Sequence, residues 1–159
     1  MRITFRDGFV VGASLAIVAA IYFAWLWQAE HQVRLHSAHL FRNIDIKNWN
    51  AVAADISPDY RDDWNKDRAL LLERLRELLS DRGKMEIIAH DSEVHIEQRD
   101  GFFRAKITIE SEGEMVSLIK ERVNPLSAPF ELQWRHQSGK PWDWKLVRVS
   151  NAELQLPAD

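Results

Sequence analysis

The sequence predicts an α+β protein: an N-terminal transmembrane helix, then about three helices packed on a strongly curved antiparallel sheet of four strands. Three observations carry this. No residue from Gly8 to Ala29 bears a charge; from Val33 to Leu79 apolar residues recur at helical spacing; beyond Gly83 the period becomes two. Helices followed by strands define a class in which helices cover one face of a sheet. The chain of 159 residues, 46% hydrophobic with a net charge of -3, is long enough for one domain beside an anchor. That charge balance excludes a nucleic-acid coat. The absence of Cys excludes disulfides, thiolate nucleophiles, Cys-ligated zinc, iron–sulfur clusters and covalent haem, and no cofactor is expected.

Residues 1–7 read as a short tail, 8–29 as the span and 30–159 as the domain. At about 1.5 Å per residue the uncharged stretch covers the roughly 30 Å hydrocarbon core. A cleaved secretory signal would have an apolar region of only about 7–15 residues, whereas Ile21-Tyr22-Phe23-Ala24-Trp25-Leu26-Trp27 prolongs this one. Tyr22, Trp25 and Trp27 suit the headgroup layer, and Arg2 and Arg6 precede the span. The tail is therefore expected in the cytoplasm and the domain on the extracytoplasmic, periplasmic side of the inner membrane. Gly8, Gly12, Ala16, Ala20 and Ala24 form a small-residue ridge on which a second helix could pair. The expected partners are the lipid bilayer, a second copy through this ridge or the sheet face, and a membrane-complex protein.

Val33, Leu40, Phe41 and Ile44 continue at helical spacing, so the span is expected to run unbroken into a first domain helix. Asp45 can cap a second, with Trp49, Val52, Ala53 and Ile56 on one face and Ser57-Pro58 ending it. Asn65 or Asp67 can open a third, whose Leu71, Leu72, Leu75, Leu78 and Leu79 make a broad stripe, with Gly83 as a left-handed terminator.

Among the strands, Asp100-Gly101 is a hairpin signal that would set Ile96 opposite Ala105 and Val94 opposite Ile107. Met85, Ile87 and Ala89 are apolar at odd positions but Val94 and Ile96 at even ones, so a bulge is expected between Ala89 and Val94. A five-residue loop from Gln137 to Pro141 would set Trp134 opposite Trp144 and His136 opposite Trp142. Between the hairpins Met115, Val116, Leu118, Ile119 and Val123 favour a short helix over a strand, and Asn124-Pro125 ends either.

This order resembles the nuclear-transport-factor-2-like superfamily, also called the cystatin-like or ketosteroid-isomerase-like cone. The residues that carry the resemblance are Asp45 before a short helix, Ile56-Ser57-Pro58-Asp59-Tyr60 leading to Trp64, and the Leu-rich third helix. Phe130-Glu131-Leu132-Gln133-Trp134 and Gly139-Lys140-Pro141-Trp142-Asp143-Trp144-Lys145-Leu146-Val147 complete it. The resemblance covers about residues 30–150 and implies helices wrapped by a curved sheet with a pocket between. Such folds host isomerases, dehydratases, hydrolases and modules without chemistry. Anchor plus domain is also similar to the bitopic assembly factor of type IV secretion machines; Asn124-Pro125-Leu126-Ser127 matches its Asn-Pro-x-Gly turn except at Ser127.

An isomerase-like member needs a pocket carboxylate as base and a donor for the oxyanion. Tyr60 is the one Tyr outside the span, Asp91 and Glu93 lie at the expected bend, and His136 shares a strand face with Trp134; Tyr60, Asp91 and His136 are the catalytic candidates. No metal site is expected. His36 and His39 are spaced i, i+3 without a third ligand, and His90 and His95 fall on opposite strand faces. Asp63-Trp64-Asn65-Lys66-Asp67 starts like a calcium loop but has Arg68 at the Gly position and Arg74 at the Glu position. Trp49, Trp64, Phe130, Trp134, Trp142 and Trp144 serve either as core or as an aromatic ligand pocket. The sequence thus reads as an anchored binding or assembly module without catalysis. The alternative is an anchored enzyme or carrier for a small hydrophobic molecule.

Overall fold

The computed structural model describes residues 5–80, 83–112 and 114–155, with side chains of 5–11 and 114–116 outside the description. Five helices and four strands follow in the order α1 (Phe5–Leu26), α2 (Ala29–Asp45), α3 (Trp49–Asp55), α4 (Arg68–Leu78), β1 (Met85–Glu97), β2 (Asp100–Ser111), α5 (Glu114–Val123), β3 (Phe130–His136) and β4 (Trp144–Ser150). The strands form one antiparallel sheet in the order β1-β2-β3-β4. Its inner face meets α2, which buries Val33, Ser37 and Leu40. Phe103, Ala105, Leu132, Trp134, Trp144 and Leu146 supply the opposing wall of the core.

The span does not run unbroken into the domain. α1 and α2 are separated at Trp27 and Gln28 and bent by 66°. The Gln32 side-chain amide donates to Leu26 O at 2.7 Å, occupying a carbonyl freed where α1 ends. Among the described residues no single helix is long and apolar enough to cross a membrane; Gly12–Leu26 and Ala29–Asp45 pass that test together as a bent pair. Arg2 of the expected tail lies outside the described residues.

Capping differs from expectation at α3 and agrees at α4. Asn48, not Asp45, caps α3 by accepting from Ala51 N, and Asp67 caps α4 by accepting from Leu70 N. Asp45 is the last residue of α2 and instead receives the Ile87 N–H of β1 at 3.0 Å. α4 ends at Leu79, with φ -106, before Gly83 is reached.

Both hairpins slide by an even number of residues. Val94 pairs with Phe103 and Ile96 with Gly101, so the turn is Gln98-Arg99, with Gln98 at φ 56. The Asp-Gly pair is used otherwise: Asp100 accepts from Arg135 and Gln133, and Gly101 lies under α2. In the last hairpin His136 pairs with Trp144 and Trp134 with Leu146. The loop grows to residues 137–143 because Lys140-Pro141-Trp142-Asp143 closes its own turn, Asp143 N to Lys140 O at 3.0 Å, with Pro141 at the position whose φ a β-turn favours. Even shifts keep each apolar residue on its face.

The phase change expected between Ala89 and Val94 is present as a register break between His90 and Glu93, with Asp91 at φ 50. A second break between Gln133 and Trp134 leaves Val147 as the extra residue of β4. These two local irregularities do not curl the sheet strongly, contrary to expectation. Residues 57–63 run beside β4, where Ser57 N and Arg61 N donate to Leu146 O and Val147 O, and so cover that edge.

Candidate functional site

The first half of α2 presses on the sheet and its second half stands off. Val33 and Ser37 sit over Gly101 and Trp134: a Cβ on Gly101 would lie 2.4 Å from Val33 Cγ2, and Trp134 Nε1 donates to Ser37 Oγ at 3.0 Å. Further along, Leu40, Phe41 and Ile44 line a cavity of about 560 Å³ enclosed by α3, α4, the end of α5 and the inner sheet face. This is the volume of an ordinary ligand site rather than a packing void. Sixteen of its twenty-two lining residues are aliphatic or Phe; Asp62, Lys66, Arg74 and Arg122 are the charged ones.

The polar groups come largely from the loop between α3 and α4. Asp62 Oδ1 accepts from Trp64 N at 3.0 Å and Lys66 N at 2.7 Å. Burial nevertheless outweighs these bonds and pushes its pKa above the usual carboxylate range. Tyr60 is 1% exposed, and its hydroxyl oxygen is enclosed beside the Asp62 carboxylate without a well-aligned hydrogen bond. Burial first, and the Asp62 charge second, raise the phenol pKa, so it stays protonated. Trp64 is held by its Nε1, which donates to Leu154 O at 2.9 Å.

Of the aromatic residues singled out in the sequence, Trp64 and Phe130 line the cavity, as does Tyr60. Trp49 packs against the core outside the lining, Trp134 is completely buried under α2, and Trp144 is buried with its Nε1 donating to Pro141 O. Trp142 is 54% exposed on the loop turn. Asp91 and Glu93 are exposed at the bulge. His136 stacks on Trp144 and donates from Nε2 to Lys140 O at 2.7 Å, away from the cavity. Tyr60, Asp91 and His136 therefore do not converge.

The histidines of α2 serve the helix layer. His39 Nδ1 bonds Asp55 at 3.0 Å, while His36 stacks on Trp134 and bonds Trp142 O; burial lowers the His36 pKa. Among the described residues no group of three His, Cys, Asp or Glu could hold a metal ion. The small-residue ridge of α1 is uncovered at Ala16, Ala20 and Ala24, and nothing approaches Gly12; Gly8 lies outside the described side chains.

Asp62, Lys66, Arg74 and Arg122 were not singled out by sequence reasoning as pocket residues. The available signal was the width of the α4 stripe: Leu72 and Leu79 are buried, whereas Leu71 and Leu75 are half-buried and Leu78 is exposed. Five Leu over three turns exceed what one helix needs for its core seam.

No family model and no curated protein matches the sequence. Solved structures do match the fold. An NTF2-like protein of unknown function from Pseudomonas putida aligns with a TM-score of 0.56 at 10% identity, covering 76% of this chain and 83% of that one. An NTF2-like protein from Cytophaga hutchinsonii aligns at 0.54 and 13% identity, covering 75% and 93%. A Bdellovibrio bacteriovorus protein aligns at 0.58 and 7% identity, covering 76% of this chain, which spans only 40% of that protein's length. At these identities the likeness shows the fold alone: the domain has an NTF2-like, or cystatin-like, fold.

Proposed function

We propose that the protein is a membrane-anchored binding module. Its cavity receives a small apolar molecule, and α1 ties the domain to the extracytoplasmic face of the cytoplasmic membrane, where a second copy or a membrane-complex protein can meet it. The observation that carries this reading is the cavity, with its apolar walls and its charged groups confined to a few positions. Binding is favoured over turnover because Tyr60 and Asp62, neighbours on the cavity wall, are not joined there by Asp91 or His136. The Tyr60 hydroxyl is enclosed, Asp62 is tied to two backbone N–H groups, and Asp91 and His136 lie elsewhere. The anchor is supported by the uncharged stretch from Gly8 to Ala29 and by the exposure of Leu15, Ile17, Val18, Ile21, Phe23 and Trp25, a continuous apolar surface that water disfavours.

The test uses the full chain expressed with its N-terminus intact. After an alkaline wash the chain stays with the membrane fraction. Native mass spectrometry of detergent-extracted protein then finds a retained apolar species that is lost in Leu75→Trp, a cavity-filling variant, at unchanged melting temperature. Recovery of the chain in the aqueous fraction would overturn the anchor; no retained species in the native chain would overturn the binding role.

A further inference from the structure

α2 leaves the end of α1 at a bend of 66°. With α1 along the bilayer normal, a helix leaving at that angle climbs about 0.6 Å per residue, against about 1.5 Å for a straight continuation. From Ala29 to Arg42 its axis therefore rises about 8 Å. A headgroup layer is about 5–7 Å deep, so an arginine side chain on the lower face of α2 reaches into it. Two contacts fix which face is the lower one. The His31 ring lies 4.0 Å from that of Trp25, and Gln32 bonds Leu26 O. Leu35, Ala38 and Arg42 follow His31 at spacings of four, three and four, and so stand on the face that meets α1. The opposite face, with Val33, Ser37 and Leu40, is buried against the sheet.

The chemistry of this stripe suits a lipid surface. Leu35, Ala38 and Arg42 are exposed, and Leu35 at 44% and Ile46 at 62%, the residue that closes α2, are among the large apolar side chains left open to solvent. No acidic residue stands between Glu30 and Asp45. His39 is engaged by Asp55, and Arg34, at the edge of the stripe, donates to the Ser92 hydroxyl at 2.8 Å, so Arg42 is the cation at its centre. Its guanidinium matches phosphate oxygens with two parallel bonds, while short apolar side chains beside it enter the headgroup layer. We infer that the outer stripe of α2 lies on the surface of the membrane that holds α1, with Leu35 and Ala38 in the headgroup layer and Arg42 on a lipid phosphate. The domain is then held flat against the bilayer rather than on a stalk. The inference rests on α1 being the anchor and adds a second contact with the same partner.

The chain has no Cys, so a single Cys in the full chain carries one label. Leu15→Cys lies in α1, Ala38→Cys in the stripe, and Lys106→Cys is exposed on β2 between the core residues Ala105 and Ile107, hence on the sheet face away from α2. Each variant is labelled with nitrobenzoxadiazole and reconstituted in vesicles of phosphatidylcholine and phosphatidylglycerol that contain lipid spin-labelled in the acyl chain or at the headgroup. Acyl-chain lipid is expected to quench the label at position 15, headgroup lipid the label at 38, and neither the label at 106. Arg42→Glu in the Ala38→Cys chain turns attraction to the anionic surface into repulsion and lowers the ratio of docked to undocked domain about thirtyfold, whereas Arg42→Lys keeps it. A label at position 15 that neither lipid quenches overturns the anchor. Quenching at 15, with quenching at 38 no greater than at 106, overturns the surface contact and leaves the anchor standing. Quenching at 38 that survives both Arg42→Glu and omission of phosphatidylglycerol overturns the phosphate contact.

Discussion

Gly101 shows how one residue can serve packing rather than turning. Its missing side chain lets Val33 sit directly on β2, and a Cβ would also meet Ile96 at 3.1 Å and Trp144 at 3.3 Å. Two of these neighbours are buried or nearly so, and none can withdraw without disturbing the seam between α2 and the sheet. Gly101→Ala should therefore destabilise the domain by about 1–3 kcal/mol, the usual range for overpacking, read as a lowered urea midpoint. Asp45 answers to pH instead. Burial raises its pKa from 3.8 to about 6, although the Ile87 N–H pulls the other way. The folded chain thus holds this proton more tightly than the unfolded one, so Asp45's contribution to stability is full below about pH 4 and lost as pH rises through about 6. Asp45→Asn keeps an acceptor for Ile87 but has no proton to lose. Relative to the native chain its stability should rise between about pH 4 and pH 6, by less than about 1 kcal/mol after solvent screening, in melts run across that window.

Among the elements, α5 is held on β2 by the packing of Ile119 and Val123 and, at its end, by one polar side chain. Asn124 imitates a strand peptide: its Oδ1 accepts from Ile109 N at 2.8 Å and its Nδ2 donates to Ile109 O at 3.1 Å, where β3 no longer pairs with β2. Asn124→Ala should cost about 1–3 kcal/mol by leaving those backbone groups unpaired, with Asn124→Asp intermediate because it retains the acceptor, both read by denaturant unfolding. The sequence pattern made the element types legible. Alternation placed all four strands, the change of phase after Ala89 located the bulge, and the spacing of Leu118, Ile119 and Val123 favoured the helix that forms. Register was less legible, because two turns of even offset satisfy one hydrophobic pattern equally well. Asp100-Gly101 had a competing use that only α2 reveals, and the turn around Pro141 lengthened the last loop. The break after α1 carries no Gly or Pro, since Gln32 fixes it from the following helix.

At the scale of the whole molecule, the cavity lies only partly where the aromatic residues of the sequence pointed. Aromatic residues on an inner face mark a wall, but they do not say which stretch a helix will cover. Here the first turns of α2 cover Trp134 and Trp144, and the space opens beyond, around Phe130 and Trp64. The four charged lining residues were invisible for a related reason: Asp62 and Lys66 share one loop turn, Arg74 and Arg122 stand on two helices, and only tertiary packing brings these elements to one cavity. The unequal strand lengths have a mechanical consequence. β2 is paired with β3 only from Asp100 to Ala105, so its far half has no neighbour on that side and leans on α5. Displacing α5 would break Asn124's two bonds and uncover Val123 and Ile119, but would leave every rung of the β2–β3 ladder closed.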